Sequence, residues 1–227
     1  INERPAFLES GEALLAVDAF HVSSSKLPTT YEQGCAASFH DKVYLFGAGN
    51  SEDQILEYDP DNDTFETLLE TLPFDTPFSC TFDGSTNVYF QQGNTFWYYD
   101  LSQSRFWPLS KITGAETDSE GTLTYSTNTE SVYFLEELTS TSAKFYEFDP
   151  DQNSWSTLAS PNRIYADSTI AAVSDHIYLL GNRLATDSNQ KFKIVSSTWS
   201  SISDSPVSSH HSFNLDILSP NQVFISG

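Results

Sequence analysis

The chain has no methionine, two cysteines and only ten lysines and arginines in 227 residues. So little cysteine excludes a small fold stapled by many disulfides. The few cations face 31 aspartates and glutamates, a formal net charge of -21. A surface this negative repels phosphate backbones and anionic lipid headgroups, which argues against nucleic acid as a partner and leaves a basic partner open. No run of 18 apolar residues exists that would form a spanning helix, so membrane insertion is not expected, and no secretory leader pattern is seen. Also missing are the nucleophile elbow, the phosphate-binding glycine loop, the zinc motifs and the dinucleotide fingerprint. The start at Ile1 and the Ser/Thr-rich, lysine-poor composition lean towards an extracellular setting. There the Asn62-Asp63-Thr64 sequon would accept a glycan.

Aromatics are plentiful at 14%, within a hydrophobic share of 38%, so a core of flat rings on pleated strands is within reach. They are also periodic. A β-branched residue followed by an aromatic and further apolar residues occurs five times. The copies are Val43-Tyr44-Leu45-Phe46, Val88-Tyr89-Phe90, Val132-Tyr133-Phe134-Leu135, Ile177-Tyr178-Leu179-Leu180 and Val223-Phe224-Ile225. Their first residues are 45, 44, 45 and 46 positions apart. Such runs read as buried strands. After each of the first four comes an aromatic pair seven positions apart: Tyr58 and Phe65, Tyr99 and Phe106, Phe148 and Trp155, Phe192 and Trp199. Turn formers fill the intervals, so each pair flanks a hairpin. A further turn precedes each Val-Tyr motif. One unit is therefore four short antiparallel strands, a to d, with the Val-Tyr motif on strand b.

Four-stranded units near 45 residues are the mark of a β-propeller. The turns Tyr58-Asp59-Pro60 and Phe148-Asp149-Pro150 and the tryptophans at 155 and 199 resemble those of kelch repeats. The kelch glycine pair is degraded here to Gly47-Ala48, Gln92-Gly93, Glu136-Glu137 and Gly181-Asn182. The expected fold is all-β, a five-bladed propeller of kelch-like blades forming one domain over 1–227. Blades would cover about 29–73, 74–114, 115–161 and 162–206. A fifth would join strands c and d of 12–28 to strands a and b of 207–227. Joining the ends sets Phe20 48 positions after Trp199, against 45, 41, 49 and 44 elsewhere. That shared blade would remove the open edges.

Kelch propellers usually engage partners on the face where chain enters strand a and leaves strand b. The resemblance therefore places a ligand-binding rim at Tyr31, Glu32, Glu120, Tyr165, Asp167 and His211, with Asn50, Gln92, Glu137 and Asn182 from the following loops. Aromatics, amides and acids suit glycan hydroxyls or a basic peptide. Asp59-Pro60-Asp61-Asn62-Asp63 and Asp149-Pro150-Asp151-Gln152-Asn153 mimic calcium loops. Thr64 and Ser154 stand where such a loop wants glycine, and both segments fall on hairpin turns that favour Asp and Asn on their own account. No cofactor is expected, though weak calcium binding at these turns stays open. Cys35 and Cys80, equivalent on neighbouring strands a, are expected as free buried thiols, too far apart to bridge. Trp155 and Trp199 are expected between blades. Trp97 and Trp107, outside the repeat, are the freer aromatics.

The resulting expectation is a non-enzymatic, secreted binding propeller that engages a protein partner. A lectin, a structural subunit of an extracellular assembly and a glycoside-active enzyme are the alternatives.

Overall fold

The computed structural model describes residues 34–48, 53–75, 77–139, 142–162, 168–180, 189–202, 214–219 and 222–226. Each Val-Tyr run forms a strand, because a run apolar on both sides of the pleat must be covered on both faces. The first sheet holds β1 (Cys35–Phe39), β2 (Lys42–Ala48), β3 (Gln54–Asp59) and β4 (Thr64–Thr71). The second holds β5 (Ser79–Phe82), β6 (Asn87–Gln92), β7 (Thr95–Asp100) and β8 (Arg105–Pro108). The third holds β9 (Glu120–Ser126), β10 (Ser131–Thr139), β11 (Ser142–Asp149) and β12 (Ser154–Leu158). The fourth holds β13 (Thr169–Val173), β14 (His176–Leu180), β15 (Gln190–Lys193) and β16 (Thr198–Ser201). A last hairpin pairs β17 (Asn214–Ser219) with β18 (Gln222–Ser226). Within every sheet the strands pair antiparallel in chain order. A single 3-10 turn, Ile194–Ser196, is the one helical element among the described residues.

The seven-residue aromatic spacing becomes direct cross-strand pairing: Tyr58 opposite Phe65, Tyr99 opposite Phe106, Phe148 opposite Trp155 and Phe192 opposite Trp199. Each pair flanks a turn whose last residue (Asp63, Ser104, Asn153 or Ser197) sits in the left-handed region. In the first three turns an aspartate closes the loop. Asp59 Oδ1 accepts the N–H of Asp61 and Asn62, Asp100 Oδ1 accepts those of Ser102 and Gln103, and Asp149 Oδ1 accepts that of Gln152. The Asp-rich segments thus commit carboxylate oxygens to turn backbone. Lys42 and Asn62 hold the carboxyl of Asp59 well below the ordinary carboxylate range. In the fourth repeat Lys193 replaces the aspartate, and the 3-10 turn takes over.

The cores lie between successive sheets. Phe46 and Ile55 of the first sheet pack with Val88, Phe90, Tyr99 and Phe106 of the second. Tyr89 and Phe96, from the other face of that second sheet, pack with Val132, Phe134, Tyr146 and Phe148 of the third. Tyr133, Leu135 and Phe145 then pack with Ile170, Ile177 and Phe192 of the fourth. Alternate residues of one Val-Tyr run thus serve two different cores, which is why the run is continuously apolar rather than alternating.

Trp155 bridges sheets as expected. Its ring centroid is 4.8 Å from that of Phe96 in the preceding sheet and 5.1 Å from that of Phe148, and its Nε1 donates to Ser110 O at 3.0 Å. Trp199 repeats this one sheet on, against Phe145 at 5.1 Å, with Nε1 donating to Ala159 O. The freer pair divides. Trp97 packs against the first core, whereas Trp107 lies under the Arg105 guanidinium, 4.5 Å from its ring centroid.

The first strands of successive sheets touch in order, β1 on β5, β5 on β9, β9 on β13 and β13 on β17. This corrects the cysteine expectation. Cys35 of β1 and Cys80 of β5 form a disulfide with their Cα atoms 6.4 Å apart. The first strands of neighbouring sheets approach more closely than that expectation allows, within the roughly 4.4–6.8 Å that a disulfide spans. The segments assigned to the closing strands c and d, about 12–28, lie outside the described residues.

Buried phenols make a prediction at alkaline pH. Burial, with a hydrogen bond to Glu57, pushes the Tyr44 hydroxyl up to about 12. Tyr89, Tyr133 and Tyr146 are raised further, burial again being the leading cause. An unfolded tyrosine ionises near 10. Above that pH the unfolded chain binds fewer protons than the folded one, so stability falls as pH rises. The contribution is complete below pH ~10 and drains away as pH approaches ~12 and beyond. Phenolate absorbance and near-UV circular dichroism, followed together against pH, should show these tyrosines ionising with unfolding rather than ahead of it.

Candidate binding face

Strand direction places β6's last residue, Gln92, and β9's first, Glu120, at the same end of their sheets, opposite the aspartate-closed turns after Asp100 and Asp149. Glu137 joins them because β9 and β10 pair with Glu120 directly opposite Glu137. The Glu120 side chain is exposed and that of Glu137 half-buried. Cross-strand neighbours point to the same side of a sheet, so two acids share one surface here, an arrangement that costs stability unless it has partners. Gln92 is already engaged. Its Nε2 donates to Asp75 O at 2.8 Å, tying down the link between the first and second sheets. Tyr31, Glu32, Asn50, Tyr165, Asp167, Asn182 and His211 lie outside the described residues.

Beneath this rim are polar residues that no sequence motif marks. The connection 109–119, from the second sheet to the third, is clamped from both sides. From the second sheet, buried Gln91 donates through Nε2 to Ser119 O at 3.1 Å and to Gly93 O at 2.6 Å, and accepts from Ser79 Oγ at 2.9 Å. Ser119 Oγ also donates to Gly93 O. From the third sheet, Glu136, with no solvent exposure, accepts the Glu116 N–H at 2.9 Å and the Tyr146 hydroxyl at 2.8 Å. Lys144 Nζ stands 3.8 Å from the same carboxyl and donates to Gly114 O at 2.7 Å. The connection lies so close that a Cβ on Gly93, whose φ is +56°, would sit 2.0 Å from Thr117 O. One sheet further on, Gln190 Oε1 accepts the Asn162 N–H from the next connection.

Chemically, Glu136 is a strut. Both of its oxygens are engaged, by a backbone N–H and by a phenol that burial and this same carboxyl keep protonated far above the usual tyrosine range. A buried hydrogen bond to a charged group contributes about 1.5–3 kcal/mol, and a polar group left unpaired costs about 1–3 kcal/mol. Tyr146→Phe should therefore lower stability by about 1–3 kcal/mol in urea denaturation and speed amide exchange in residues 109–119. A change confined to stability, with that segment's exchange unaltered, would refute the clamp.

Glu120 differs: it stands exposed on a surface held rigid from below, with Glu137 half-buried directly opposite it. Adjacent identities hide this division of labour in the sequence, since Gln91-Gln92 and Glu136-Glu137 are each a like pair. The inward member is third after the start of its Val-Tyr run at Gln91 and fourth at Glu136, so no repeat position marks it. Among the described residues no three His, Cys, Asp or Glu side chains converge as a metal-ligand set. No helix among them is long and apolar enough to cross a membrane. No protein-family model matches the chain, and no curated protein matches it.

Proposed function

We propose that the chain is a kelch-like propeller whose ends zip into a fifth blade, and that it works as a non-enzymatic binding module. In this reading it sits in an extracellular compartment and meets a protein partner through the end that carries Gln92, Glu120 and Glu137. The observation that carries it is the clamped connection at 109–119. Buried Gln91 and Glu136 brace that surface from two sheets, so the acids above it stand on a preorganised platform. The successive contacts of β1, β5, β9, β13 and β17 support a radial arrangement. The Cys35–Cys80 disulfide supports an oxidising compartment. The surplus of acid favours a basic partner, because opposite fields speed encounter and suppress wrong pairings.

The test is a pull-down from the native source at low and high salt, using the wild type beside a Glu120→Gln/Glu137→Gln variant. Capture that weakens with salt and is lost in the variant supports the reading. Identical capture by both proteins at both salts sinks it.

A further inference from the structure

At the opposite end, where the aspartate-closed turns lie, a cleft of about 210 Å³ opens between the second and third sheets. Asn87, Tyr89, Tyr98 and Asp100 line it from the second sheet and Phe148 and Pro150 from the third, with Leu109 of the connecting segment between them. Tyr89 and Tyr98 are direct cross-strand partners, and Trp107 lies opposite Tyr98 on the next strand. Three aromatic side chains therefore stand in a row across β6, β7 and β8. Tyr125 of the third sheet extends the row, stacked on Tyr89 with the rings 8° from parallel and 6.2 Å apart.

The row already attracts a cation at its outer end, where Arg105 lies over Trp107. Neither lysine nor arginine lines the cleft itself. Carboxylates surround it. After burial, the charge of Asp83 is the next largest influence raising the Tyr89 phenol, and Asp151 adds to it. Asp100 acts in the same way on Tyr98. Burial opposes the charge on Asp100, yet hydrogen bonds from Ser102 and Gln103 hold its carboxyl below the ordinary range, so it is an anion at neutral pH.

We propose that this cleft is a binding site for an organic ammonium group, held against the ring of Tyr98 with Asp100 beside it. Aromatic faces carry negative potential and attract a desolvated cation placed above them. Clefts for whole drug-sized ligands run to about 300–1,000 Å³, so this smaller one fits a single cationic head. An anion is repelled by the surrounding aspartates, and a neutral group gains nothing from them. The site is separate from the acidic end proposed above, and either can fail without the other.

The test is a ligand-observed NMR titration at constant, near-physiological salt. The probes are choline and its uncharged carbon isostere, 3,3-dimethylbutan-1-ol. Choline should bind saturably, at least about tenfold more tightly than the isostere. Tyr98→Leu should weaken choline about tenfold, while Tyr98→Phe keeps the ring face and stays within about threefold of wild type. Near-UV circular dichroism verifies that both variants fold. An end-capped Gly-Lys-Gly peptide, run as a competitor, tells a free quaternary amine from a basic side chain by which of the two displaces the other at lower concentration. Equal binding of choline and the isostere, unchanged affinity in Tyr98→Leu, or no saturation up to about 100 mM overturns the proposal.

Discussion

Replacing Cys35 and Cys80 together by alanine is expected to lower stability by about 4 kcal/mol, the chain-entropy value for a loop of this size. The bond closes a separation of 45 residues, one whole repeat, and joins the first strands of two sheets. Without it the unfolded chain regains the freedom of that loop, while the folded chain keeps most of its packing. The double variant is the proper comparison, since a single one leaves an unpaired thiol. Urea denaturation of the oxidised protein, the reduced protein and the double variant should place the last two together, well below the first. Mass spectrometry of the unreduced chain should show two hydrogens missing. A loss below about 1 kcal/mol, with free thiols detected in the native protein, would mean that β1 and β5 do not meet as described.

The second large effect is expected at Phe90. Its side chain has no solvent exposure. Its ring lies 5.0 Å from Phe46 of the first sheet, 5.5 Å from Phe74 and 5.7 Å from Phe78 of the linking segment, and 5.6 Å from Phe106 of its own sheet. Phe90→Ala removes the one side chain that these four share. Deleting a buried phenyl typically costs about 3–5 kcal/mol, from lost transfer energy and from the cavity left behind. For a chain of this length that corresponds to a drop of about 6–20 °C in Tm. Phe90→Leu, which keeps most of the apolar volume, should lose clearly less. If the two variants melt together, the ring cluster is not the joint between the first two sheets.

Both experiments probe the seam between the first and second sheets, by a covalent bond between their first strands and by aromatic packing on the strands that follow. The two losses would not add if the seam opens as a unit, because residues that share an interface couple. The triple variant is therefore informative about whether one seam can part while the others hold.

Legibility from sequence differs from residue to residue. The Val-Tyr runs and the seven-residue aromatic pairs mark β2, β6, β10, β14 and β18 and the outer hairpins, because strand alternation and turn chemistry are local. Asp59, Asp100 and Asp149 fall in turn segments by composition alone, and each closes its turn with its own carboxylate. The place of Trp155 in the repeat points to a residue between blades, and Phe96 of the preceding sheet is where it packs. At the candidate binding face, the repeat spacing singles out Glu120 and Glu137, yet nothing in the sequence announces that they lie opposite one another. The same spacing puts Gln92 on the rim, whereas its amide holds a connecting segment. Gln91 and Glu136, which brace the same face from beneath, carry no signal in the sequence that separates them from their neighbours.

The chain's own order of residues determined that it forms short antiparallel strands in four-stranded units, with aromatic hairpins and aspartate-closed turns. Each of those features is settled within a few residues by pleat alternation, left-handed turn positions and nearby hydrogen bonds. The distance between one sheet and the next was decided only in three dimensions. That distance joins Cys35 to Cys80, buries Glu136 beneath a loop from the neighbouring sheet and opens the tyrosine-lined cleft. No local pattern encodes it, because it results from how side chains some 45 positions apart fill the space between two sheets.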